Sequence, residues 1–307
     1  MKQYDVAVVG EIYIDHILTG FVKWPQPGEE VFTNEYLQEV GGGAAITACA
    51  LARLGRSVSL IGSVGVKEMS WLVGRLSDFG VSNAELSSGE GRTGVTISVS
   101  NDKDRSFFTY VGENAHIEER LAGEAVRLHL TEARHVHFAM PLTVQLAVSL
   151  LPMLNAAGCT TSLDVGHQVA WLHDPVNLHT CAAVNYLLPN EREATLICKG
   201  DADAYLQFTA ENRWPSGVVK LGSRGAAMRV ADGILHVRSP RVQVVDTTGA
   251  GDAFDAGFID GLLDGAGGEE CLRRGCVSGS LSAGAVGALR GLSNRHEMQK
   301  CYEESYG

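Results

Sequence analysis

The chain has 307 residues, 45% apolar and 20% charged, enough to bury a substantial core as one large α/β domain or two smaller ones. A formal net charge of −11 with no basic block argues against nucleic acid and membrane surfaces as partners. The seven cysteines are scattered without a C-x-x-C pair, no signal peptide opens the chain, and no apolar run approaches the roughly 18 residues of a membrane span, so reduced thiols in a cytoplasmic protein are expected.

Residues 4–10, YDVAVVG, form a β-branched run closing on Gly10, which predicts a strand buried on both faces of a parallel sheet. The residues that follow, Gly10-Glu11-Ile12-Tyr13-Ile14-Asp15, lack the G-x-G-x-x-G of a dinucleotide site and disfavour a dehydrogenase. Asp15 lies just past the strand's carboxyl end, where open α/β sheets bind ligands; it also reads as a solvated loop acid. After a turn cluster at 24–28, apolar and polar residues partly alternate over 30–40. The same pattern returns at 93–100 and 106–111, across the polar turn Asn101-Asp102-Lys103-Asp104. These segments predict antiparallel strands inserted at about 12–40 and 92–112, a small accessory sheet suited to be a lid over a substrate site or a dimer surface.

Between the insertions, Gly41-Gly42-Gly43 opens a helix over 46–54, and its glycines suit a phosphate, a sugar, another backbone or simply tight packing. A strand at 57–63 and a helix at 68–79 follow. From residue 118 the alternation is regular: helices at 118–130, 143–157 and 190–198, strands at 135–139, 160–165, 186–188, 218–221, 226–230 and 234–237. Helix-period segments at 250–263 and 269–287 close the fold, which is therefore α/β, a doubly wound, mostly parallel sheet with a small β-sheet lid.

Gly-Lys occurs nowhere, so a Walker A loop is excluded. The best phosphate site is Gly249-Ala250-Gly251, whose small residues let amides and a helix N-terminus converge on an anion. Asp252 stands beside it. A carboxylate next to a phosphate is unfavourable unless it takes a proton, which suggests phosphoryl transfer to a hydroxyl; the alternative makes Asp252 and Asp255 first-turn acids that stabilise a helix. The turn containing Lys220, Gly222 and Gly225 fits the outer phosphates or ribose of a nucleotide, or is a hairpin turn. Asn190 and Glu193 compose a capping box, and their oxygens at a strand's carboxyl end would also suit Mg²⁺. His135 and His137 share a strand face, and His167, His173 and His179 follow, but none has a zinc spacing.

With these residues in place, the chain resembles the ribokinase-like, or phosphofructokinase B, family of carbohydrate kinases along nearly its whole length. DTTGAGDAFDAGF, residues 246–258, matches the family's second signature residue for residue. GGGAAITACALARLG (41–55), PNERE (189–193) and KLGSRG (220–225) support it. The resemblance implies one ribokinase-like domain over 1–307 and ATP-dependent transfer of a phosphoryl group to a sugar or sugar derivative. Asp252 is implied as general base and the amides of Gly249, Ala250 and Gly251 as anion hole. Asn190 and Glu193 are implied to organise Mg²⁺ through water, Asp15, Gly41 and Gly42 to hold sugar hydroxyls, and Asp246 to mark a possible K⁺ position. The departures concern the acceptor: Ile46 stands where the first signature commonly has Asn, and Asp164-Val165-Gly166-His167-Gln168 keeps only the first residue of D-x-N-x-R. A nucleoside kinase of the same fold is the alternative acceptor reading, and a non-catalytic sugar-binding regulator the alternative from another class.

Overall fold

The computed structural model describes residues 2–81, 85–100, 105–166 and 168–307; the polar turn at 101–104 and His167 lie outside the described residues. The chain runs through β1 (Tyr4–Gly10), β2 (Tyr13–Thr19), β3 (Glu35–Gly41), α1 (Gly43–Arg53), β4 (Val58–Gly65), α2 (Met69–Ser77), β5 (Leu86–Gly89), β6 (Gly94–Ser100) and β7 (Arg105–Tyr110). It continues with α3 (Ile117–Ala122), α4 (Glu124–Leu130), β8 (Ala133–Ala139), α5 (Val144–Ala156), β9 (Thr160–Leu163), α6 (Val169–Leu172), α7 (Leu178–Ala183), β10 (Tyr186–Leu187) and α8 (Glu191–Cys198). The last elements are α9 (Ala202–Glu211), β11 (Val218–Lys220), β12 (Ala226–Val230), β13 (Gly233–Val237), α10 (Ala250–Leu263), α11 (Gly268–Ser282) and α12 (Arg295–Tyr306).

Six strands form a parallel sheet in the order β10-β9-β8-β1-β4-β5. Alternate residues of β1 feed two different cores, Ala7 and Val9 joining α3 to α9 and Val6 and Val8 joining α1, α2 and α10. That division is why YDVAVVG is apolar without interruption, and it makes the sheet doubly wound. An antiparallel sheet, β11-β12-β13, continues the array through the bridge between Asn190 and Lys220. The chain steps from β1 outward to β4 and β5, then returns to build β8, β9 and β10 on the other side. The strand order thus reverses beside β1, which leaves a crevice at the carboxyl ends of β1 and β8. There the backbones press together: a Cβ on Gly10 would lie 2.7 Å from the Ala139 carbonyl oxygen.

The remaining strands form a separate sheet, β3-β2-β6-β7, in which β2 pairs antiparallel with β3 and parallel with β6. Asn114 ties its two insertions to the body: the Ile12 N–H donates to Asn114 Oδ1, and Asn114 Nδ2 donates to the Ile12 carbonyl, each at 2.9 Å.

The structure differs from the expected elements in identifiable places. The helix expected over 118–130 is two, because Gly123 is extended (φ −69°, ψ 137°) between α3 and α4. The helix expected to reach residue 287 ends at Ser282, and the chain turns through Gly287 at φ +79°, so that the Gly287 N–H reaches Asp246 Oδ2 at 2.9 Å. Helices α9 and α12 were not expected.

Candidate active site

Helix α10 begins where the sequence predicts it. Gly249 holds φ +75°, a left-handed conformation open to glycine, and its Cβ position is already filled, 2.7 Å from Ala288 Cβ and 3.2 Å from Ile46 Cγ2. No side chain caps the helix; the Ala250 N–H turns back to the Thr247 carbonyl at 3.2 Å, while exposed Gly251 leaves the rest of this helix start, with the positive end of the dipole behind it, open to solvent. Helix α1 starts the same way, with Gly42 (φ +91°) as an uncapped first position. The two helix starts converge on Asp252. Its Oδ1 lies 2.9 Å from where a Cβ on Gly43 would stand, and the Thr47 hydroxyl donates to the Asp252 carbonyl at 3.3 Å.

The triple glycine carries a carboxylate at each end. A Cβ on Gly41 would fall 2.2 Å from the Asp15 carboxyl, so only glycine admits Asp15 there, and a Cβ on Gly42 would fall 2.3 Å from the Glu11 carbonyl oxygen. Asp15 and Asp252 therefore face one space from opposite ends of Gly41–Gly43, over the β1/β8 crevice. Burial pushes the Asp15 carboxyl up to about 7, with help from Glu39. Asp252 is raised to about 7 by burial and by Asp164, while Lys220 opposes the shift.

Lys220 sits at the end of β11. Its Nζ lies 3.6 Å from the Cβ position of Gly251, and it donates to Asp164 Oδ2 at 2.5 Å and to Asp255 Oδ1 and Oδ2 at 3.1 and 3.2 Å. The ammonium is thus held beneath the Gly249–Gly251 turn and is not displayed on the 220–225 turn. Burial works to raise Asp164, but the Lys220 charge together with hydrogen bonds from Asp255, Lys220 and the Gly166 N–H outweighs it and holds that carboxyl well below the usual range. Asp255, fully buried, is raised far above its usual value by burial, against the pull of the Lys220 charge. The turn itself forms the hairpin alternative, joining antiparallel β11 and β12. Gly222 is exposed at φ +59°, whereas Gly225 (φ +101°) would drive a Cβ to 1.9 Å from the Val237 carbonyl oxygen. Arg224 ties the turn to Glu191 at 2.5 Å.

Asn190 and Glu193 complete the capping box. The Glu193 N–H donates to Asn190 Oδ1 at 3.0 Å, the Asn190 N–H to Glu193 Oε2 at 2.9 Å, and Asn190 Nδ2 to Glu193 Oε1 at 2.7 Å. Glu193 is buried and raised to about 7 by that burial and by Asp164. Asp246 anchors the loop before α10, accepting from the Thr248 N–H at 2.8 Å through Oδ1 and from the Gly287 N–H through Oδ2. His135 and His137 are buried and share the Ser162 hydroxyl at 2.8 and 2.7 Å; burial pushes them down to about 3 and about 4, so both are neutral core side chains.

Sequence reasoning missed two participants: Asp164, seen there only as a remnant of a motif, and Gly43, the glycine that faces Asp252. A signal for Asp164 was its place just past the carboxyl end of β9. For Asp15 the pH dependence of stability gives a direct check. Its folded value stands above the roughly 4 of an unfolded aspartate, so its stabilising contribution is complete below that value and is lost as pH rises through about 7. Asp15→Asn is therefore expected to gain melting temperature relative to wild type between pH 5 and pH 8. A constant difference across that range would show that Asp15 titrates normally.

A carboxyl beside two uncapped helix starts at the reversal point of a doubly wound sheet is the layout of a phosphotransferase acting on a small molecule. Comparison with known proteins places the chain more closely: it matches the pfkB family of carbohydrate kinases over residues 3–295 and belongs to that family. It is 33% identical over 272 residues to the ATP-dependent ribose-1-phosphate kinase of Halopiger xanaduensis, spanning 86% of this chain and 87% of that protein. The structure of Arabidopsis thaliana ribokinase complexed with ribose and ATP superimposes with a TM-score of 0.85 at 25% identity, over 98% of this chain and 99% of that one. The fold is shared as well with Burkholderia thailandensis nucleoside kinase in complex with inosine, at a TM-score of 0.83 and 23% identity over 98% and 99% of the two chains. The protein is a carbohydrate kinase of ribokinase-like fold, an ATP-dependent phosphotransferase acting on a sugar or sugar derivative.

Proposed function

We propose that the acceptor binds between Asp15 and Asp252 along Gly41–Gly43, and that Asp252 takes the proton of its attacking hydroxyl. The single observation that carries this reading is the placement of the Asp252 carboxyl against Gly43 beside the uncapped start of α10. The amides of Gly249, Ala250 and Gly251 receive the transferring phosphoryl group, stabilising charge that grows as the bond to the acceptor oxygen forms. Lys220, fixed beneath Gly251 by Asp164 and Asp255, adds positive charge to that turn. Asp15 and the backbone at Gly41 and Gly42 orient the acceptor's other hydroxyls, and the 222–225 turn borders the nucleotide.

The residues fit a divalent cation. Asp164, Glu193, Asp252 and Asp255 crowd around one ammonium, an excess of hard oxygen donors that suits Mg²⁺. Among the described residues no three such side chains stand in ligating geometry, so Asn190 and Glu193 would hold the ion through water. Bound there, Mg²⁺ would supply charge neutralisation to the ATP phosphates. Asp246, whose carboxylate organises the loop before α10, is the position we assign to K⁺.

Ile46, buried against Gly249, offers the acceptor an apolar wall where an amide is common in the family, and this keeps a nucleoside beside a simple sugar as acceptor. The intact Asp252 and Glu193 argue against a regulator without turnover. Tyr36, Ile97, Phe108 and Tyr110 are exposed on the lid and support a homodimer through that sheet. The seven free cysteines support a cytoplasmic setting, no helix among the described residues is long and apolar enough to cross a membrane, and the acidic balance supports no nucleic-acid partner. The test is turnover of Mg-ATP with a panel of sugars, sugar phosphates and nucleosides, in K⁺ and in Na⁺. Phosphorylation of at least one acceptor is expected, and no turnover on the whole panel would overturn the reading.

A further inference from the structure

Asp15 has an unusual neighbour. In the register of the lid, Asp15 on β2 is the direct partner of Glu39 on β3, and both are buried, at 8% and 6% exposure. Two carboxylates directly opposite each other across a strand pair repel, so the arrangement needs a counterion. Only Glu39 has one. Arg75, on α2 of the main body, donates from Nε to Glu39 Oε1 at 3.0 Å and from Nη2 to Oε2 at 2.7 Å. The guanidinium is itself fixed, by Asp78 at 2.7 Å and by lying 6.0 Å from the centre of the Phe79 ring. The Val40 N–H also donates to Glu39 Oε1 at 3.0 Å. Both Glu39 oxygens are thereby committed on the α2 side, while Asp15 makes no hydrogen bond among the described residues and rests over Gly41.

We propose that the Arg75–Glu39 pair is a positioning device for acceptor recognition: it fastens lid strand β3 to α2 and draws Glu39 away, so that Asp15 alone presents an unpartnered carboxyl to the acceptor. This rests on the reading of Asp15 as an acceptor-binding residue. A bidentate pair suits the task because the planar fork fixes direction as well as distance, which a lysine could not do. The charged and titratable groups that face Asp15 are Glu39 from β3, Asp252 from α10 and Tyr13 on its own strand, with Arg75 acting from α2 through Glu39.

The test uses the full chain as wild type, Glu39→Gln, Arg75→Met and the exchange variant carrying Glu39→Arg with Arg75→Glu. The first readout needs no acceptor: the carboxyl carbon resonance of Asp15, assigned with Asp15→Asn, is titrated by NMR. Its midpoint is expected to fall in Glu39→Gln and to rise in Arg75→Met, each by about half a pH unit or more. The second is steady-state kinetics with ribose and with inosine. Arg75→Met is expected to raise the acceptor KM about tenfold while kcat and the ATP KM stay within about threefold. The exchange variant restores the ion pair but sets a guanidinium opposite Asp15, so its acceptor KM is expected to stay raised although its melting temperature recovers. Return of that KM to the wild-type value would reduce the pair to a structural tie and overturn the proposal, as would an Asp15 midpoint unmoved in both single variants. Should wild type phosphorylate neither ribose nor inosine, those acceptors are wrong, and the NMR titration still decides the proposal. Glu39→Gln is isosteric, so a folding failure of Arg75→Met leaves the decision intact.

Discussion

Asp252→Asn is expected to lower kcat by about a thousandfold while ATP binds nearly as well as to wild type, the size typical of losing a positioned general base. The argument is geometric. The amide keeps the shape of the carboxyl, so the contact with Gly43, the start of α10 and the packing of Thr47 against the Asp252 carbonyl all survive. What disappears is the ability to accept a proton from the attacking hydroxyl. The carboxyl is raised to about 7 in the free chain, closer to matching a hydroxyl that acidifies as it bonds to phosphorus than an ordinary aspartate would be. Single-turnover rates, together with calorimetric titration of a non-hydrolysable ATP analogue, separate the two effects. A loss of less than tenfold in rate would place the base elsewhere.

The largest effect on stability is expected two turns further along the same helix. Asp260 is fully buried and holds three arginines: Arg56 Nε at 2.7 Å, Arg274 Nη1 at 2.8 Å, and Arg295 through Nη1 at 2.6 Å and Nη2 at 2.5 Å. Asp264, at the end of α10, shares Arg56 and Arg274 at 2.6 Å each. Arg56 follows α1, Arg274 lies on α11 and Arg295 opens α12, so one carboxylate joins four helices. Its removal leaves three partly buried cations with only Asp264 and Glu270, both at the rim, to answer them. Asp260→Ala is therefore expected to cost about 3–5 kcal/mol and to lower Tm by roughly 5–10 °C, measured by thermal and urea unfolding. A change below about 1 kcal/mol, the worth of an exposed ion pair, would mean that solvent already screens the cluster.

The sequence was most informative where one period dominated. Helix α10 begins and ends where its pattern predicts, and β1 was readable because both of its faces are buried. Helix α12 escaped because only Met298 is buried along it, which leaves no apolar stripe to read. In α9, Ala202, Tyr205, Leu206 and Thr209 do fall on one face, but only the tertiary fold reveals that this face meets the core under β11 and β12. At the site, Gly249–Asp252 was legible because small residues beside an acid admit few explanations. Two facts depended on side chains meeting across the fold. Lys220 ends a strand and precedes a glycine turn, and nothing local says that its ammonium turns inward to Asp164 and Asp255, 56 and 35 residues away. Glu39 reads as one more polar residue of an alternating strand until the register sets it opposite Asp15.

The parallel seam of the lid bears on how the enzyme is made. β2 and β6 meet from Tyr13 with Gly94 to Leu18 with Val99, partners about eighty residues apart, with α1, β4, α2 and β5 between them, so that much chain must be in place before the seam can zip. The body can assemble around β1 while the two halves of the lid are still separate hairpin-like pieces. During refolding, amides of β2 and β6 should therefore gain protection from hydrogen exchange after those of β1 and β8, so that a nascent chain acquires its fold before it acquires a closed place to hold an acceptor.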